Sequence, residues 1–205
     1  MNTSLRFPSE EKAHALLQWA SEKNPGPWVE HGRVAARAAK VIAEKCGLDT
    51  NRAYVSGLLH DIGRYEGVRD LHHVYAGYDL MLEKGHNAIA EICLSHSFPV
   101  QDIGAYSGKN FDCTHEELSV IEKYLSEAEY SDYDKLIQLC DAISLPQGVC
   151  LIDVRLVNIV RRHGFNDFTL RKWDAFFALK KHFDTLCNMN VYDLFYNEIR
   201  MVSIT

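Results

Sequence analysis

The chain has 205 residues, 47% hydrophobic and 24% charged, with only 12 Gly and 5 Pro. That composition excludes collagen-like, low-complexity and largely disordered chains, and the length suits one domain with a C-terminal extension or two small domains. A formal charge of −6 at pH 7 gives no global attraction to nucleic acid or to an anionic membrane.

The first helical stretch opens at Pro8-Ser9-Glu10-Glu11, where Ser9 caps acidic first-turn residues ahead of Ala13, Leu16, Leu17 and Ala20 at helical spacing. Asn24-Pro25-Gly26-Pro27 breaks the chain. From Trp28 to Lys45 one apolar stripe runs through Val34, Ala35, Ala38, Val41 and Ile42, and Cys46-Gly47 supplies a glycine stop. A third helix, capped by Asp49 or Thr50, runs into His60-Asp61-Ile62-Gly63. Val74 to Glu83 and Asn87 to Ser95 read as two helices around Lys84-Gly85-His86, followed by a loop from Phe98 to Cys113. Glu116 to Ala128 and Tyr133 to Ser144 are again helical, as are about 151–163 and 169–186 after Pro146-Gln147-Gly148. Strict apolar alternation is nearly absent, so the expected fold is all-α. Residues 151–182 carry seven Lys or Arg, among them Arg155 and Lys172, against three acidic residues, a local basic patch at most; Arg161-Arg162 and Lys180-Lys181 are read as a solvated helix face, against the alternative of a phosphate-binding cap, with no role in the site.

The six Cys form no C-x-x-C pair and several lie in apolar runs, so buried free thiols in a reducing compartment are expected. No segment approaches the roughly 18 uninterrupted apolar residues that span a bilayer, and a cytoplasmic location is the expectation.

Seven of the ten His lie between residues 31 and 115. His31 sits on the stripe formed by Val34, Ala35, Ala38 and Ile42, and His96 follows Ile89, Ile92 and Cys93 in the reverse sense. Asp141 lies in Leu136-Ile137-Gln138-Leu139-Cys140-Asp141-Ala142-Ile143, where a lone ionised carboxylate would cost several kcal/mol unless paired or coordinated. Its partner is a distant basic residue, a histidine or a metal. Taken singly, each His has a bland reading as a hydrogen-bonded core residue. The adjacent pair His60-Asp61, on an otherwise apolar helix with Gly57 and Gly63 permitting close backbone approach, is an odd way to build a core.

Together, His31, His60-Asp61 and Asp141, in order and with Gly57-Leu58-Leu59-His60-Asp61-Ile62-Gly63 around the pair, resemble the HD-domain superfamily of metal-dependent phosphohydrolases over about residues 25–145. The resemblance implies an HD-domain helical bundle over residues 1–145, with a C-terminal helical extension, 146–205, packed on the same domain. His73-Val74-Tyr75-Ala76-Gly77 and Ser95-His96-Ser97 are similar to the extra elements of two-metal subfamilies, including bacterial diadenosine tetraphosphate hydrolases of HD type and HD-GYP phosphodiesterases. That implies a six-ligand set: His31, His60, Asp61, His73, His96 and Asp141. Ser97 after His96 and the absence of a Gly-Tyr-Pro triplet count against cyclic-dinucleotide cleavage.

Imidazole and carboxylate donors without thiolate suit one or two divalent ions of iron, manganese, cobalt, nickel or zinc. Two such ions, roughly 3.5–4 Å apart, would hold a hydroxide nucleophile and clamp phosphoryl oxygens, with Asp61 the natural bridge. Arg64, one turn after Asp61, is read as a phosphate-holding guanidinium, against the alternative of a surface Arg paired with Glu66 or Asp70. His86 and His115 are read as solvated, and His14, His163 and His182 as surface residues. The expected function is hydrolysis of a dinucleoside polyphosphate or nucleoside phosphate, with Asp61 and Arg64 catalytic. The alternative is a non-catalytic HD module that binds a nucleotide and signals. The expected partner is a small-molecule nucleotide, with no membrane or nucleic acid; a homo-oligomer is compatible with the sequence.

Overall fold

The computed structural model describes residues 5–199, so the outermost ends of the two expected domains, 1–4 and 200–205, lie outside the described residues. Its helices follow the capping chemistry of the sequence. Helix α1 (Glu10–Lys23) starts where the Ser9 side chain accepts from the Lys12 amide. Helix α2 (Pro27–Cys46) begins with a proline, whose missing N–H costs nothing in a first turn, and ends at Gly47, left-handed with φ 72°. Helix α3 (Thr50–Leu59) is capped by Asp49, which accepts from the amides of Asn51 and Arg52. His60 and Asp61 lie beyond its last turn, and a 3-10 helix (Ile62–Glu66) follows.

Next come α4 (His72–Glu83) and α5 (Asn87–Ser95), then a 3-10 turn (Ile103–Ala105) within the long loop. Helices α6 (His115–Glu127) and α7 (Asp132–Ala142) each open on a capping box. A hairpin of two-residue strands, β1 (Ser144–Leu145) and β2 (Gly148–Val149), turns the chain at Pro146-Gln147, where alternation too short to read in the sequence leaves no signal. Helices α8 (Ile152–His163) and α9 (Thr169–Cys187), a 3-10 helix (Val191–Phe195) and α10 (Tyr196–Ile199) complete the described chain. The fold is all-α as expected. Among the described residues no helix is long and apolar enough to cross a membrane.

Alanine-rich α2 is the central element. Its Ala36 packs with Leu17, Leu58, Met81 and Ile89 on one side, while Ala35, Ala38 and Ile42 pack with Leu136, Leu139 and Ile143 on the other. Phe176, Phe183, Val191 and Phe195 join the latter cluster, so the C-terminal helices bury their apolar faces against the first 145 residues. Phe183 is fully buried, which alone contributes about 1.5–3 kcal/mol. A smaller cluster of Leu71, Val74, Leu94, Phe98, Tyr106 and Ile121 secures the long loop against α4, α5 and α6.

Two expectations are corrected. Cys46 and Cys187 form a disulfide that ties the end of α2 to the end of α9, and only Cys93, Cys113, Cys140 and Cys150 are free thiols. The apolar cluster shared by α2 and α9 brings together two cysteines too far apart in sequence for spacing to reveal. His86 is buried rather than solvated, because the left-handed turn at Gly85 folds it back so that its amide donates to the Met81 carbonyl; neither ring nitrogen has a hydrogen-bond partner.

Candidate metal centre

Five chain segments deliver the expected residues to one point. His31 comes from the first turns of α2, His60 and Asp61 from just past α3, His73 from the start of α4, His96 from the end of α5 and Asp141 from the last turn of α7. They fall into two groups whose ligand atoms lie within 4.8 Å of one another: His31, His60 and Asp141, and Asp61, His73 and His96. In the first, His31 Nε2 is 2.9 Å from Asp141 Oδ1 and His60 Nε2 is 4.0 Å from the same oxygen. In the second, Asp61 Oδ1 lies 3.2 Å from His73 Nε2 and 3.4 Å from His96 Nε2. Asp61 faces both groups, since its other oxygen is 4.0 Å from His60 Nε2.

Each of the four imidazoles is oriented the same way. His31 Nδ1 lies 3.2 Å from the Ser144 carbonyl, His60 Nδ1 2.8 Å from that of Gly57, and His96 Nδ1 2.8 Å from that of Cys93, while His73 Nδ1 meets the Asp70 carbonyl. A carbonyl only accepts, so Nδ1 carries the N–H and Nε2 presents a lone pair. Those lone pairs then confront one another, His60 with His31 at 3.3 Å and His73 with His96 at 3.4 Å. Acceptors facing acceptors beside two carboxylates are stable only with positive charge between them, and this donor chemistry fits divalent transition metals.

The electrostatics agree. Burial lowers His60 to a pKa of about 4 and likewise lowers His73, with the Arg64 charge adding to the effect there, so both imidazoles are neutral donors at pH 7. Burial alone would raise Asp61, yet the charge of Arg64, 2.7 Å away, holds it well below the ordinary carboxylate range. Burial opposes ionisation of Asp141 too, yet the close approach of His31 at 2.9 Å and the charge of Arg155 hold it well below the ordinary carboxylate range.

Arg64 belongs to this centre and not to the alternative pairing with Glu66 or Asp70: its Nε donates to Asp61 Oδ2 at 2.7 Å. Asp61 and Arg64 do not share an α-helix, because the chain tightens into the 3-10 helix between them. The neighbours His72 and His73 part at the start of α4. His73 enters the centre, while His72 turns outward to Glu66 at 2.7 Å and Glu117 at 3.3 Å.

A cleft of about 660 Å³ opens over the centre, lined by His31, Asp61, His73, His96 and Asp141. Its lining also holds Arg155, Arg162 and Lys172, with Tyr106. Of these, Arg162 departs from the solvated helix face expected of it, and no sequence motif marks Arg155, Lys172 or Tyr106 as reaching the cleft. Arg155 lies 3.5 Å from Asp141 Oδ1 and supplies part of the pairing that the sequence demanded for that carboxylate. The available signal was the basic excess of 151–182, with Arg155 and Arg162 two turns apart on one helical face.

Residues 28–145 match the model of the HD domain, and the chain belongs to that family. Among solved structures it is similar to the HD domain of the L. monocytogenes phosphodiesterase PgpH. The structure of that domain in complex with cyclic-di-AMP aligns with a TM-score of 0.50 at 16% identity, over 94% of this chain and 100% of that one. A second structure of the same domain gives a TM-score of 0.47 at 18% identity, over 88% of this chain and 97% of that one. At such identities the likeness concerns the fold. No curated protein matches the chain.

Proposed function

We propose that the chain is a metal-dependent phosphohydrolase acting on a nucleotide phosphoester or phosphoanhydride, a dinucleoside polyphosphate or nucleoside phosphate. The observation that carries this reading is the pair of donor groups, His31-His60-Asp141 and Asp61-His73-His96, with Asp61 facing both at the floor of an open cleft. Divalent ions held there would supply Lewis acidity toward a phosphoryl oxygen and make a coordinated water more acidic.

The chain's own residues do the rest. Asp61, ionised and gripped by Arg64, fixes the spacing of the two donor groups. Arg64, half-buried at the cleft wall, retains N–H donors for a phosphoryl oxygen after its Nε is committed to Asp61, and its charge opposes the negative charge that develops there. Burial pushes the Tyr106 hydroxyl far above neutrality, so at pH 7 it offers a proton to the cleft and adds no negative charge. Hydrolysis breaks one P–O bond while water forms another, and the leaving oxygen takes up a proton.

The test is a hydrolysis panel of mononucleotides, dinucleoside polyphosphates and cyclic dinucleotides, each with manganese, iron, cobalt, nickel and zinc. Release of a phosphorylated product with at least one metal is expected. If nucleotides bind but none is cleaved with any metal, the chain is a non-catalytic nucleotide-binding module.

A further inference from the structure

Charge among the basic residues of the cleft lining is poorly matched. Lys172 is buried, yet no carboxylate lies within hydrogen-bond or ion-pair reach of its ammonium among the described residues. It donates to the Ala105 carbonyl and to Ser107 Oγ, each at 3.0 Å, and lies 5.9 Å from the Phe176 ring centre. Burial lowers its pKa to about 8, the signature of a cation short of compensation. Arg155 touches Asp141 through one terminal nitrogen only, and its Nε is buried with no hydrogen-bond partner. Arg162 forms no ion pair or hydrogen bond with another described residue.

A buried donor without an acceptor costs roughly 1–3 kcal/mol and a buried cation without an anion more, which holds for the Arg155 Nε and for Lys172, whereas Arg162 is exposed at the rim of the cleft. All three cations line the cleft that holds the metal-centre residues, and two come from helix α8 alone. Only Asp141 of the metal-centre carboxylates is in contact with these cations, and it is shared with His31. What they lack is a multiply charged anion entering from the cleft.

We propose that Arg155, Arg162 and Lys172 form a subsite for phosphate groups beyond the one at the metal centre, which makes the substrate class a phosphate chain and not a single phosphoryl group. The proposal rests on the phosphohydrolase reading for the direction in which substrate lies. The two guanidinium groups, two turns apart on α8, can each hold a phosphate bidentately along an extended chain. The ammonium of Lys172, fixed by the loop carbonyl and hydroxyl, keeps one remaining N–H for a third contact.

The discriminating variant is Arg162→Glu, because Arg162 contacts neither the donor groups nor the core and its replacement leaves the fold intact. Calorimetric binding of inorganic tripolyphosphate and of orthophosphate would be measured on the metal-loaded full chain. Arg162→Glu is expected to weaken tripolyphosphate binding at least about tenfold, leave orthophosphate within about twofold, and leave metal content unchanged, with Arg162→Lys recovering most of the loss. Lys172→Gln, a second variant of similar size, is expected to act in the same direction. Equal binding of tripolyphosphate by parent and Arg162→Glu, or equal weakening of both anions, overturns the subsite. Its failure and that of the hydrolase reading are separable. Nucleotide cleavage indifferent to Arg162→Glu, with tripolyphosphate binding unchanged, removes the subsite alone. Charge-dependent tripolyphosphate binding without any cleavage sustains the subsite and removes the hydrolase.

Discussion

Gly63 and His73 meet backbone to backbone: a Cβ on Gly63 would overlap the His73 carbonyl oxygen and the Gly77 amide nitrogen. The 3-10 helix after Asp61 thus lies directly on α4, and that contact carries the His73 ring to Asp61. Gly63→Ala is therefore expected to cost about 1–3 kcal/mol in unfolding free energy, as overpacking does. Urea denaturation checks this, and an unchanged midpoint would mean that the two backbones separate without cost.

The two donor groups should be distinguishable by metal analysis of protein purified without chelator. Replacing His73 or His96 by Ala is expected to lower the metal content from about two ions per chain to about one, because each removal leaves its group with two donors where binding needs three or more. His115→Ala, an exposed control on α6, should change nothing. Unaltered stoichiometry in the His73 and His96 variants would remove both from the ligand set.

Asp61 and Arg64 should fail differently although they touch. Asp61→Ala is expected to abolish turnover and deplete metal. Arg64→Ala should retain metal and lose roughly 2–4 kcal/mol in kcat/KM, the scale of one charge-stabilising donor. A kcat/KM within twofold of the parent would show that phosphate is held elsewhere.

Glu198 ties the last described turn to the body of the protein, accepting from Arg37 at 2.7 Å and from the Val149 amide at 2.8 Å. The Arg37 hydrogen bond, opposed in part by burial, lowers its pKa below the ordinary 4.5. A carboxyl with a depressed folded pKa stabilises above its unfolded value and loses that contribution as pH falls through the folded one. Glu198→Gln should thus be less stable than the parent by under about 1 kcal/mol at neutral pH, since the pair is largely solvated. The gap should close as pH drops below about 4. Thermal unfolding at both extremes measures it, and a gap that widens in acid contradicts the pairing.

Thiol titration addresses the bridge between α2 and α9. Denatured, unreduced protein should expose four reactive thiols and reduced protein all six. Six in both would leave Cys46 and Cys187 unbonded.

The candidate ligand residues were legible because each is polar where periodicity demands an apolar side chain. His31 interrupts an alanine stripe, and Asp141 sits among Leu139, Cys140 and Ala142. Gly57 was legible for a related reason: a Cβ there would lie 2.7 Å from Ala36 Cα, a separation only glycine allows. Arg162 and Lys172 carry no such contradiction. Their helix faces give no local sign of the cleft until α8 and α9 fold back over the 103–108 loop, a long-range event that no local pattern encodes. His86 and the Cys46–Cys187 pair fail for the same reason, since burial and pairing there are decided by segments distant in sequence.

The convergence of His31, His60 and Asp141 has a mechanical consequence. An ion bound by the three, as proposed, would be a noncovalent cross-link joining α2, the end of α3 and α7, closing the long stretch of chain between the first and the last of these residues. Loop-closure entropy rises only slowly with length, so a clasp between such distant residues gains most of its leverage from binding the folded form alone. With free ion at about a hundred times its dissociation constant, that preference amounts to about 2.7 kcal/mol. Without a cation the same junction sets lone pair against lone pair where three helical segments meet, and on the proposed reading the cohesion of the bundle would follow metal supply.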